Sequence, residues 1–269
     1  MAHATRRGRA NGSQEAGPWL GGMRGLLGLP ALIMLFLALA PAAHAQQRVE
    51  LTVNAGITQP IYLHVAHQPA ASAILFPGGS GVTAAEPHNF LLRVADDFVA
   101  AGITVAVAEA PSDHAGGMDD PFRASAEQAA DTAAIVAFLE SRATLPVWLI
   151  GTSKGTISAA NAAVRLGPRQ IAGVVLTSAV WSGGMQTVPL GEIRVPTLIV
   201  HNRHDECPAS PFDRAEPALA ELTAAPAKQL IAVTSSARLA SACEARSPHG
   251  YLGIEDQVVA SIVAWIKTH

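Results

Sequence analysis

Val147-Trp148-Leu149-Ile150-Gly151-Thr152-Ser153-Lys154-Gly155-Thr156 is the stretch on which the reading of this chain turns. Val147 to Ile150 reads as a buried strand, and Thr156 to Leu166, a run of small residues stopped by Gly167-Pro168, reads as a helix. Between them the pentad Gly151 to Gly155 fits G-x-S-x-G. Such a pentad recurs by chance, so its meaning rests on the strand-turn-helix context, which is present here. A serine on so sharp a turn takes a strained backbone, and Gly151 and Gly155 leave room for neighbouring main chain. The Ser153 hydroxyl then stands clear of the sheet. A serine hydroxyl is a poor nucleophile unless an imidazole accepts its proton and a carboxylate orients that imidazole, so both partners are sought elsewhere in the chain.

Outward from the pentad, short apolar runs alternate with amphipathic segments. Leu51 to Asn54 and Ile61 to Ala66 read as an opening antiparallel pair, and Ala73 to Phe76 as a third strand ending at Pro77-Gly78-Gly79-Ser80-Gly81. A helix is expected from Asn89 to Ala101, a strand from Ile103 to Ala108, then a polar, glycine-rich loop through Asp120. Ser125 caps a helix running to Arg142, with Gln128 three residues on. Ile171 to Thr177, Val195 to His201 and Leu230 to Thr234 are further strands, and Ile254 to Lys267 closes the chain as an amphipathic helix. Buried strands alternating with helices imply an α/β protein, its mostly parallel sheet of about eight strands covered on both faces.

Residues 1 to 45 read as a segment apart. Arg6, Arg7, Arg9 and Arg24 precede an apolar run from Leu26 to Ala40, followed by Ala43-His44-Ala45, the pattern of a signal peptide cleaved after Ala45. The run is shorter than the ~20 residues of a membrane span. A start at Met23 would give a signal of ordinary length, and Arg6-Arg7 lies too far upstream for a strong twin-arginine signal. Residues 46 to 269 are then expected as one catalytic domain, periplasmic or secreted, without a stable membrane span. Without the first 45 residues the chain carries 14 basic and 20 acidic side chains, a net charge of −6, a poor match to nucleic acid. Its only two cysteines, Cys207 and Cys243, are expected to form a disulfide in an oxidising compartment; the alternative is two buried thiols. Their spacing lacks the close pairs of a zinc site, and no H-E-x-x-H or phosphate-loop pattern occurs, so neither a metal nor another cofactor is expected.

With the pentad in its context, the chain from about Val49 to its end resembles the α/β-hydrolase superfamily, in which nucleophile, acid and histidine follow in that order. The resemblance implies that Ser153 is the nucleophile. It assigns the acid to Asp205, at the end of Val195 to Asp205, with Glu206 as the alternative. It assigns the base to His249, in Ser247-Pro248-His249-Gly250-Tyr251 before the final helix. It also implies an oxyanion hole from the Lys154 amide and the turn after the third strand, where Gly79 is expected and Gly78 and Ser80 are alternatives. Phe76-Pro77 departs there from the His-Gly-Gly-Gly form. Trp181 either lines the acyl pocket or covers the sheet edge. The Trp181 to Arg194 connection is too short for a cap domain, which suits a small acyl substrate. The expected activity is hydrolysis of ester or related acyl bonds through an acyl-enzyme, with a peptidase, an acyltransferase or a non-catalytic binding protein as alternatives. A Cys207–Cys243 bridge would tie the acid loop to the histidine loop. The sequence leaves the oligomeric state open.

Overall fold

The computed structural model describes residues 46–54 and 56–269; the expected signal peptide lies outside the described residues. One sheet of eight strands organises them, in the order β1-β2-β4-β3-β5-β6-β7-β8. These are β1 (Gln47–Asn54), β2 (Ile57–His64), β3 (Ala71–Phe76), β4 (Ile103–Ala108), β5 (Val147–Thr152), β6 (Gly173–Thr177), β7 (Thr197–Asn202) and β8 (Lys228–Val233). β2 runs antiparallel to both β1 and β4, and every pairing from β4 to β8 is parallel.

Seven helices accompany the sheet among the described residues: α1 (Phe90–Arg93), α2 (Ala95–Ala100), α3 (Asp120–Arg123), α4 (Ala126–Arg142), α5 (Gly155–Leu166), α6 (Ala215–Glu221) and α7 (Glu255–Thr268). The period of two along each strand divides the core between the faces. Ile74, Phe76, Leu149 and Leu176 pack with Ile135 and Leu139 of α4 and Ile157 of α5. Ala73, Leu75, Ile150 and Val200 pack on the opposite face with Phe90, Phe98 and Ile262. β3 to β7 are buried along their whole lengths, as a parallel sheet covered on both sides requires.

Three local differences from the sequence reading have physical causes. The opening hairpin starts earlier, with Gln47 opposite Leu63; Pro60, opposite Glu50, interrupts the apolar pattern of β2 without ending the strand. The helix expected from Asn89 to Ala101 is two short helices, capped by the Asn89 side chain and broken at β-branched Val94 (φ −108°, ψ 9°). α6 carries Pro217 in its first turn, where the missing N–H is unneeded; the proline hid this helix from the sequence reading. Ser125 caps α4 as expected, accepting from the Gln128 amide at 3.1 Å. No helix among the described residues is long and apolar enough to cross a membrane.

Candidate active site

The end of β5 delivers Ser153 onto the turn into α5 with φ +52°, a left-handed conformation that costs a non-glycine residue about 1–3 kcal/mol. Close backbone contact holds it there. A Cβ on Gly155 would fall 2.0 Å from the Phe76 carbonyl oxygen, and one on Gly151 would fall 2.5 Å from the Gly155 carbonyl oxygen. The Ser153 amide donates to Thr177 O at 3.1 Å, and its carbonyl accepts from the Thr156 amide at 2.9 Å. Both hydrogen bonds are made by the main chain, which leaves the side chain unburdened in a half-buried position.

Asp205 follows β7 and is buried, as is His249, which lies in the turn after β8 and before α7. His249 Nδ1 stands 2.8 Å from Asp205 Oδ2. The same carboxylate accepts from the Ser210 hydroxyl at 3.0 Å and, through Oδ1, from the Cys207 amide at 3.0 Å. His201 Nε2 lies 3.5 Å from Oδ2. Burial by itself would raise the Asp205 carboxyl, but the nearby His201 ring and the hydrogen bond from His249 outweigh it and hold the group well below the ordinary carboxylate range. Asp205 is therefore ionised at neutral pH and favours the Nδ1–H tautomer of His249, which frees Nε2 to accept a proton. His249 Nε2 is buried and has no hydrogen-bond partner among the described residues. Glu206, the alternative acid, points elsewhere: its carboxylate is exposed and paired with Arg238 at 2.6 Å.

The histidine loop is pinned from several directions. Tyr251, at φ +59° and fully buried, accepts from the Ser178 amide and donates to Val200 O, both at 2.7 Å. The Ser178 hydroxyl donates to His249 O at 2.6 Å, and Asn202 Nδ2 donates to Pro248 O at 2.9 Å. Arg93 bonds the carbonyls of Ala245 and Gly250 and pairs with Glu255 at 2.6 Å. The Cys207 and Cys243 sulfurs lie 2.07 Å apart, at disulfide distance, between the acid loop and the histidine loop.

Ser153 and His249 line one cleft of about 550 Å³, together with Gly78, Gly79, Lys154 and both cysteines. Glu86 to Phe90, Ala240 and Cys243 to Arg246 also line it. Neither the Gly79 nor the Lys154 amide donates to an acceptor among the described residues, whereas the Ser80 amide is taken by Glu86 Oε1 at 3.4 Å. Of the two alternatives to Gly79, Ser80 is thus engaged. The Lys154 ammonium reaches Asp120 at 3.2 Å. Trp181 is absent from the cleft lining; it is 9% exposed, packs in the core beside the His201 ring at 6.1 Å, and leaves Val180 to face the cleft. His201, Ser210, Tyr251 and Arg93 escaped the sequence reading because each acts on a partner remote in sequence or within a loop whose shape the sequence does not show. Tyr251, two residues after His249, was within reach as an aromatic beside a candidate base.

No family model matches the chain, and no curated protein matches it in sequence. Its structure is similar to several solved ones. The dienelactone hydrolase from Anabaena variabilis superposes with a TM-score of 0.63 at 17% identity, covering 84% of this chain and 98% of that one. An esterase of Pyrococcus furiosus gives 0.63 at 13% identity, covering 84% and 91%. Est1E from Butyrivibrio proteoclasticus gives 0.60 at 15% identity, covering 82% and 98%. The chain therefore has the α/β-hydrolase fold that the pentad and its context led one to expect.

Proposed function

We propose that this protein is a serine hydrolase that cleaves carboxylic esters, with Ser153 as nucleophile, His249 as general base and Asp205 as the carboxylate that orients the base. The observation that carries this reading is the convergence, in one cleft, of a serine on a strained elbow and a histidine bonded to a buried, ionised aspartate. His249 Nε2 takes the Ser153 proton during attack on the acyl carbon, and Asp205 stabilises the imidazolium. The amides of Gly79 and Lys154 receive the oxyanion; each such donor contributes about 3–4 kcal/mol in the transition state. His249 then protonates the leaving alcohol, and water hydrolyses the acyl-enzyme with the same base.

The likeness to esterases supports the chemical class, and a cleft of about 550 Å³, with no cap domain among the described residues, suits acyl groups of modest size. A basic-apolar leader and a cysteine pair at disulfide distance support export to the periplasm or beyond. The test is labelling of the purified protein by a fluorophosphonate probe, with Ser153→Ala as the control. Labelling that disappears in the variant is expected. Absence of labelling in folded wild-type protein would reject the reading in favour of a binding protein on a hydrolase scaffold.

A further inference from the structure

Arg123, the last residue of α3, is a cation with no exposed surface, 30 residues before Ser153 in sequence and in contact with both the glycine turn after β3 and α5. Its guanidinium donates to two neutral oxygens, Ser158 Oγ on α5 at 3.2 Å and Gly79 O at 3.2 Å. Burial lowers it to about 10, against the opposing influence of Asp120 and Glu86, so it stays charged at neutral pH. Its Nε is buried without a partner among the described residues. A buried charge costs several kcal/mol unless something offsets it, and two neutral acceptors are a modest return for packing alone.

The other half of the arrangement lies across the turn. In a trans peptide the C=O and N–H groups point in opposite directions. With Gly79 O directed at Arg123, the N–H of the same peptide, that of Ser80, is directed at the Glu86 carboxylate, 3.4 Å away. One peptide group is thus held by a cation on its oxygen and an anion on its hydrogen. Gly79 sits at φ +59°, and a Cβ there would fall 2.0 Å from Glu86 Oε1, so only glycine admits the carboxylate so close. A glycine also permits the peptide to rotate, which an oxyanion donor must not do.

We propose that Arg123 and Glu86 are positioning residues that clamp the Gly79–Ser80 peptide, fixing the angle between it and the preceding peptide and so aiming the Gly79 amide into the cleft. Arg123 also ties the turn to α5 through Ser158, which sets the Gly79 and Lys154 amides relative to each other. This rests on the serine-hydrolase reading above.

The experiment uses the full chain, expressed and processed as in nature, with active sites counted by fluorophosphonate titration so that rates refer to competent molecules. Glu86→Ala is expected to lower kcat on p-nitrophenyl acetate about 10- to 100-fold with KM within about twofold, as misalignment of one oxyanion donor predicts. It should weaken a trifluoromethyl ketone inhibitor, whose adduct carries the oxyanion, by a similar factor. Glu86→Gln keeps an acceptor oxygen and should restore most of the rate, and Arg123→Lys should fall between. If Arg123→Lys does not fold, the two Glu86 variants decide alone. Wild-type protein that labels, with Glu86→Ala retaining kcat and ketone affinity within twofold per active site, would overturn the clamp and leave the hydrolase reading intact. Wild-type protein that does not label would remove both.

Discussion

The Ser153 side and the Asp205–His249 side of the cleft are built in contrasting ways. The Ser153 elbow is shaped by the run from Gly151 to Thr156 together with the main chain of β3 and β6: two glycines, a positive φ and hydrogen bonds to the Ser153 backbone. Asp205 and His249 are 44 residues apart and meet where side chains around β6 and β7, together with the Cys207–Cys243 pair, pin two long loops together. The elbow fails by steric clash, whereas the acid–histidine pair fails by loss of distributed hydrogen bonds, each contributing about 1 kcal/mol. One side should tolerate no change at its glycines; the other should loosen by degrees.

The largest expected effect lies in the chemistry both sides share. Ser153→Ala should reduce ester turnover by at least about 10⁴-fold with little change in melting temperature, measured by turnover and calorimetry. Asp205→Asn should cost a comparable factor, about 10⁴, because the amide no longer selects the Nδ1–H tautomer. This variant also has a pH signature. The folded Asp205 carboxyl is depressed, so its contribution to stability is fully present above the ordinary carboxylate value and disappears as pH falls through the lower folded one. Wild type and Asp205→Asn should therefore differ in melting temperature at pH 7 and converge toward pH 2; a constant difference would assign the loss to packing instead.

Gly155→Ala tests the steric side most directly. The 2.0 Å contact with Phe76 O cannot be relieved by a side-chain rotation, so a loss of roughly 3–5 kcal/mol, about 10 °C in melting temperature, or failure to accumulate as soluble protein, is expected. Cys243→Ser should remove the constraint on a 36-residue loop, about 3–4 kcal/mol in the loop-entropy model, and lower activity by releasing the histidine loop from the acid loop. An unchanged melting temperature and unchanged kcat in that variant would show that hydrogen bonds alone hold His249. Tyr251→Phe is the smallest change, deleting one hydroxyl that serves both the Ser178 amide and Val200 O; about 1–3 kcal/mol, a few degrees, should be lost, with kcat falling less than tenfold.

The parallel core was legible wherever a strand is buried on both faces, as at Ile103–Ala108, where the sequence reading and the structure share the same bounds. It was least legible where local chemistry conflicts with context: Pro60 inside β2, Pro217 inside α6 and Val94 between two helices. Ser153 followed from a local motif, and Asp205 and His249 from the chain order that the resemblance to the α/β-hydrolase superfamily implies. The two cysteines are brought to disulfide distance, and Trp181 lies in the core away from the cleft.

What the sequence determined by itself is what depends on near neighbours: the alternation of strand and helix, the cap at Ser125, and the position of the elbow, whose glycine-serine-glycine pattern lies within one turn of chain. Only the tertiary structure decided which polar groups face one another across the sheet ends. That His249 meets Asp205 while Glu206 turns to Arg238, and that Arg123 and Glu86 reach opposite ends of one peptide, depends on loop paths. Those paths are set by many weak, long-range contacts at once, and no short stretch of residues encodes them.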